Sequence, residues 1–257
     1  GIPSGLDWTH GKRPVPSGAE GETGRMSLVE RYRKNGYVVL PDAVKWIVAD
    51  VRTHLQQLYD MQHESFRNGC RTLAKNTELL RAFLAENIRS TVEQLGIRRQ
   101  IMQTQPVCHA MGFDRTFDGV AAHQDYPAIQ SSLNAVTVWM PMHDVGLDDY
   151  PVEVVPGSHL LGLLPAKSGE HYSEVDAAGM EFVPVAVPFG AVLLFSVFTV
   201  HRTRTPGVGT RVAFSHRYED AGDPTWFQRG CPSAQKRVID REVRWTPTIE
   251  QVRAVFA

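Results

Sequence analysis

Apolar positions first recur at helical spacing over residues 26–35, and Gly36 follows as a stop. A four-residue apolar run, 37–40, then predicts a short strand closed by Pro41-Asp42. Helical spacing returns over 43–62 and again over 77–95. In the latter, Leu79, Leu80, Phe83, Leu84 and Ile88 share one face and Gly96 is the stop. Beyond Gly96 the period changes. Short β-branched and aromatic runs at 101–108, 135–140, 152–155, 182–187, 191–195 and 211–218 are separated by Gly- and Pro-containing turns. Helices followed by regularly spaced strands predict a mainly β sandwich or barrel with a helical N-terminal buttress. Residues 1–26 are Gly-, Pro- and Ser-rich without periodicity and read as an N-terminal arm; residues 27–257 read as a single domain. There is no internal repeat.

Composition narrows the class without naming a function. The 257 residues are 42% hydrophobic and 21% charged, enough for a sizeable core. A formal net charge of −1 gives no electrostatic case for nucleic acid or an acidic membrane surface. No apolar run approaches the ~20 residues of a membrane span, and the first residues lack the pattern of a signal peptide. Cys70, Cys108 and Cys231 form neither a C-x-x-C pattern nor a disulfide framework, which suits a reducing, cytoplasmic setting.

The candidate chemistry is a split trio: His123 and Asp125 in Ala-Ala-His-Gln-Asp-Tyr, and His201 in Thr-Val-His-Arg-Thr-Arg. Residues i and i+2 of an extended segment point to one face, so His123 and Asp125 can close on one ion. His201 follows the most apolar strand of the chain and completes the set. Two imidazoles and a carboxylate hold one face of a ferrous ion and leave the other open for a co-substrate and O₂. Ten His and fourteen Asp give roughly 0.5 chance occurrences of His-x-Asp, so the context carries the reading. That context is Arg211, ten residues after His201 across a Pro-Gly-Val-Gly turn. A guanidinium opposite a metal grips a carboxylate in two-pronged fashion and never loses its charge, as a dicarboxylate co-substrate requires. Arg204 is its rival, in a turn. Two other classes fit the trio alone: a metal-retaining binding protein, and a cupin-like isomerase or hydrolase using the metal as a Lewis acid. Neither needs Arg211.

Three blocks then match a known family: Ala122-His-Gln-Asp125 with Val136-Thr-Val-Trp-Met140; Pro151 to His159, ending in Pro-Gly-Ser-His; and Pro188-Phe-Gly-Ala-Val-Leu-Leu-Phe through His201 to Arg211-Val-Ala-Phe-Ser-His-Arg217. With Tyr32 to Pro41 they span about residues 28 to 220. The chain resembles the phytanoyl-CoA dioxygenase-like branch of the Fe(II)/2-oxoglutarate oxygenases. The resemblance implies a double-stranded β-helix, a cupin-like jelly roll with the metal inside one open end. It implies His123, Asp125 and His201 as iron ligands, Arg211 as partner of the distal carboxylate of 2-oxoglutarate, and Thr203, Gln105 and Trp139 as further co-substrate contacts. His159 falls in a turn that is structural in the family. Asp125 fills the position that halogenases of the superfamily leave to chloride, so the implied reaction is hydroxylation, with desaturation or ring closure as variants. The substrate is read as a small polar metabolite: anionic, sugar- or nucleotide-like, or a natural-product intermediate. Arg217, on the face of Arg211, and Tyr126 and Arg115 are its candidate contacts. Arg229 is a candidate for closing the mouth, and the arm and the loop 160–180 are lid candidates. Nothing in the chain specifies an oligomeric state.

Overall fold

The computed structural model describes residues 26–44, 77–103, 106–112, 119–169, 173–230 and 243–257. The arm up to residue 25, all but the first two residues of the helix expected over 43–62, Gln105 and Arg115 lie outside them. Among the described residues no helix is long and apolar enough to cross a membrane.

The chain enters through helix α1 (Leu28–Asn35). Ser27 and Glu30 form a reciprocal capping box at its start, and Gly36 ends it in a left-handed turn at φ 79°. Gly36 is required for a second reason. A Cβ there would lie 2.4 Å from Nδ1 of His159 and 2.6 Å from Oγ1 of Thr199. The Pro-Gly-Ser-His turn is thus packed against the end of α1, and the Nε2 of His159 bonds the carbonyl of Arg33 at 2.9 Å. His159 is a structural residue, as the family turn implies.

Strand β1 (Tyr37–Leu40) follows. The helix expected over 77–95 is two, α2 (Thr77–Phe83) and α3 (Glu86–Gln94). Ala85, at φ −55° and ψ 141°, takes the extended backbone that breaks them. The break also rotates Leu84 off the apolar face: Leu79, Phe83 and Ile88 are buried and Leu84 is exposed. The strand expected over 101–108 is likewise two, β2 (Gln100–Met102) and β3 (Val107–Met111). Pro106, which has no N–H to give a ladder, precedes the second.

The remaining strands are β4 (Val136–Pro141), β5 (Val152–Val154), β6 (Ala166–Ser168), β7 (Ser173–Val175), β8 (Val183–Val185), β9 (Val192–Ser196), β10 (His201–Thr203) and β11 (Arg211–Asp220), with a short helix α4 at Tyr126–Ile129 and a terminal helix α5 at Ile249–Ala254. All named strand pairs are antiparallel. The larger sheet runs β1-β9-β4-β11-β2, with β3 also on β11; the smaller runs β10-β5-β8. This is the cupin-like jelly roll. Pro184 is tolerated because β8 is an edge strand. The β6–β7 hairpin lies inside the region read as a loop; its two strands are three residues each, too short for alternation to register.

Strand β11 organises the larger sheet, and all ten of its residues are buried. Its residues Val212, Phe214 and Tyr218, with Val138, Met140 and Leu194, join the apolar residues of α2 and α3 in the main core. Its odd-numbered residues Arg211, Ser215 and Arg217 cannot serve that core. They face the smaller sheet, and there they line a cavity.

Candidate metal and co-substrate site

The two histidines are cross-strand neighbours. The His123 N–H donates to the carbonyl of His201 and the His201 N–H returns the bond to His123, each at 3.0 Å. Their rings stand 4.1 Å apart between centroids. The Nδ1 of His123 bonds the carbonyl of Ala121 at 2.8 Å, and that of His201 the carbonyl of Thr199 at 2.9 Å. A carbonyl can only accept, so each Nδ1 carries the proton and each Nε2 is the acceptor nitrogen. Both Nε2 atoms converge on one carboxylate oxygen, Oδ1 of Asp125, at 3.7 and 4.0 Å. One ligand atom from each of the three residues lies within 4.8 Å of the others.

Burial sets their charges. Desolvation, reinforced by the neighbouring His201, pushes His123 down to about 3. His201 is lowered by burial too. Both are neutral at pH 7 and offer lone pairs. For Asp125 burial alone would favour the neutral acid, but Arg217, the two histidines and the Thr137 hydroxyl together hold it well below the usual carboxylate range. Two neutral imidazoles and one carboxylate are the donor set that Fe(II) takes on one face.

The cavity beside the trio lies between the two sheets. Arg211 lies in its wall, 1% exposed. Its Nη1 donates to the carbonyl of Tyr150 and its guanidinium sits 5.4 Å over the ring of Trp139. Its Nε has no hydrogen-bond partner, and among the described residues no carboxylate pairs with it. Burial pushes the group down to about 9, so it stays charged at neutral pH. A buried cation without a counter-ion is costly, and this one faces the cavity that the metal trio shares.

Of the residues expected from the sequence, the structure brings His123, His201, Arg211, Thr203, Trp139 and Arg217 to this one cavity. Arg217 lines the cavity as expected, and its guanidinium is engaged there: its Nε and Nη2 go to Asp125 at 3.0–3.2 Å and its Nη1 to Ser215 at 3.1 Å. Tyr126 is not a wall of the site. It is fully buried, its ring is stacked on Phe198 at 4.8 Å and its hydroxyl is bonded to the Trp245 carbonyl. Arg229 does not close the mouth either; it is buried, with Nη1 on the Gln130 carbonyl at 2.7 Å and Nε on Thr225. Arg204 bonds the carbonyl of Leu147 and reaches Glu153, away from the cavity wall.

Sequence reading missed His109, Thr137 and Ser215, which line the cavity as well. The signal was register. On β11, residues 211, 213, 215 and 217 share a face, and the ladders set His109 opposite Ala213, Trp139 opposite Ser215 and Thr137 opposite Arg217. The Nε2 of His109 meets Oγ of Ser215 at 3.2 Å.

A family model described as phytanoyl-CoA dioxygenase (PhyH) matches residues 32–206. The chain belongs to this family. No curated protein matches it. Solved structures share the fold at low identity. The non-heme monooxygenase ThoJ aligns at TM-score 0.56 and 19% identity, over 76% of this chain and 77% of its own. The epimerase SnoN from nogalamycin biosynthesis, solved with Fe³⁺, α-ketoglutarate and nogalamycin RO, aligns at TM-score 0.52 and 21% identity, over 76% and 82%. HygX from Streptomyces hygroscopicus, solved with nickel, 2-oxoglutarate and hygromycin B, aligns at TM-score 0.54 and 18% identity, over 74% and 85%. As a member of the PhyH family the protein is an Fe(II)- and 2-oxoglutarate-dependent enzyme that consumes O₂, and the converging trio and the unpaired Arg211 fit those two groups.

Proposed function

We propose that the protein is a dioxygenase that hydroxylates a small polar metabolite in the cytoplasm, with His123, Asp125 and His201 as the iron ligands and Arg211 as the anchor of 2-oxoglutarate. The observation that carries this reading is the buried, unpaired guanidinium of Arg211 in the cavity of the metal trio. A non-oxidative metal enzyme or a metal-retaining binding protein has no use for it. The bound iron and 2-oxoglutarate supply the oxidising power: substrate, O₂ and 2-oxoglutarate become hydroxylated substrate, succinate and CO₂.

The chain's own residues divide the remaining work. His123 and His201 present neutral nitrogens held in one tautomer by the Ala121 and Thr199 carbonyls. Arg211 and Trp139 orient the distal carboxylate, and Thr203 lies beside them in the wall. Phe195, Val152 and Val120 supply apolar wall that limits water near the metal. Asp125 occupies the coordination position a chloride would need, which favours oxygen transfer over halogenation. The solved structural neighbours include a monooxygenase and an epimerase, and two were solved with nogalamycin RO or hygromycin B bound. A natural-product intermediate is therefore the substrate class to screen first.

Under air, with Fe(II) and 2-oxoglutarate, the protein is expected to release succinate slowly without substrate and faster with the right one. His201→Ala is expected to abolish succinate release and to weaken Fe(II) binding at least ~100-fold, as loss of one of three ligands requires. Succinate release unaffected by His201→Ala removes this histidine from the ligand set.

A further inference from the structure

We propose that Arg217 is a positioning residue that makes Asp125 a one-oxygen metal ligand. The inference rests on the assignment of Asp125 to the metal. Arg217 is buried on β11, on the face of Arg211. The two oxygens of Asp125 are treated unequally. Oδ2 accepts from Arg217 Nε at 3.2 Å, from Arg217 Nη2 at 3.0 Å and from the Thr137 hydroxyl at 2.6 Å. Oδ1 accepts only the longer second contact of Nη2, at 3.2 Å. A carboxylate has about four acceptor sites in all, so three donors saturate Oδ2. Oδ1 is the oxygen both imidazole Nε2 atoms face. The ion at the trio therefore meets a carboxylate with one oxygen to offer.

The arrangement has a direct consequence for the co-substrate. Three protein atoms leave three positions on a six-coordinate ion: two for the chelating end of 2-oxoglutarate and one for O₂. A carboxylate released from Arg217 can swing its second oxygen onto the ion and take one of those positions. The Nη1 bond to Ser215 at 3.1 Å and the Thr137 hydroxyl lock the guanidinium and carboxylate into this rotamer. Arg217 thus guards coordination number rather than touching substrate.

Co(II) is the probe, because its visible absorption reports coordination number without turnover. In the intact protein, Co(II) is expected to give the spectrum of one fixed coordination number and to bind 2-oxoglutarate. Arg217→Met is expected to change that spectrum and to weaken 2-oxoglutarate binding to the Co(II) form about tenfold or more. Arg217→Lys, which restores a donor to Oδ2, recovers most of both. Thr137→Val shifts them the same way by less, and serves alone if Arg217→Met does not fold. An ion pair of purely structural value would lower stability and leave the Co(II) spectrum and 2-oxoglutarate affinity as they were; that result overturns the proposal. Wild-type protein that takes up no Co(II) at all overturns the metal reading itself, a failure distinct from that of Arg217.

Discussion

Arg211→Met weakens 2-oxoglutarate binding by about 10²–10³-fold while leaving metal affinity and the stability of the metal-free protein undiminished. Two quantities set this expectation. Truncating one partner of a buried, charge-assisted pair costs about 2–5 kcal/mol, and each ~1.4 kcal/mol is tenfold in affinity. The stability half follows from what Arg211 lacks. Its Nε is buried without a hydrogen bond and no carboxylate pairs with it among the described residues. In the absence of 2-oxoglutarate it is an uncompensated charge, and replacing such a charge with an apolar chain is neutral or stabilising. Among the described residues, the contacts given up are the hydrogen bond to the Tyr150 carbonyl and the approach to the Trp139 ring. A structural arginine behaves the opposite way, losing stability with little effect on the ligand. Arg211→Lys separates charge from shape: a point charge without the planar fork recovers only part of the affinity. Calorimetric titration of the metal-loaded variants with 2-oxoglutarate, and urea unfolding of the metal-free ones, read both halves.

The second large effect is acid lability of the metal-free protein. Burial lowers His109, His123, His159, His201 and His216 in the folded state; for His123 the folded value is about 3 and for His216 about 4. Unfolded, each returns to about 6.5. The sign follows. Above pH 6.5 neither state is protonated and nothing is lost. Below it the unfolded chain takes up protons that the folded one refuses, so stability falls as pH drops from 6.5 toward 4. Each fully mismatched histidine costs about 1.4 kcal/mol per pH unit. For His123 and His216 together, the fall between pH 6.5 and 4 amounts to about 5 kcal/mol. That compares with a whole stability of about 5–15 kcal/mol for a typical protein. Urea midpoints of chelator-treated protein at pH 7.5, 6 and 5 are expected to fall steadily, with more than one excess proton bound on unfolding by pH 5 from His123 and His216. Midpoints that hold constant down to pH 5 contradict the assignment of these histidines as buried and neutral.

The same geometry explains which parts of the molecule the sequence disclosed. The strands were legible as short β-branched and aromatic runs between turn residues, and β11 also sets Arg211, Ser215 and Arg217 on one face and Val212, Phe214 and Tyr218 on the other, although both its faces are buried. The split at Ala85 and the end of β2 at Met102 were not, because the apolar positions continue past both. His123, Asp125, His201 and Arg211 were legible from residue type and spacing. Their partners were not. Nothing within a linear sequence says that His109 stands opposite Ala213 or that Thr137 stands opposite Arg217; the ladders to β11 decide that. Arg217 was read onto the correct face but its contact with Asp125 was not read, since period two gives direction and not contact. Tyr126 was misplaced for a related reason. Gln130 in left-handed conformation closes a one-turn helix after Asp125, which carries the Tyr126 ring back onto Phe198.

The proposed site is one buried cavity that holds Fe(II) on His123, Asp125 and His201 and 2-oxoglutarate on that iron and Arg211. Its most direct test is anaerobic titration of Fe(II)-loaded protein with 2-oxoglutarate, followed by visible absorption. A metal-to-ligand charge-transfer band is expected that saturates at one 2-oxoglutarate per chain, is absent in His201→Ala, and needs far more 2-oxoglutarate to appear in Arg211→Met. Fe(II) uptake with no band at any 2-oxoglutarate concentration contradicts it.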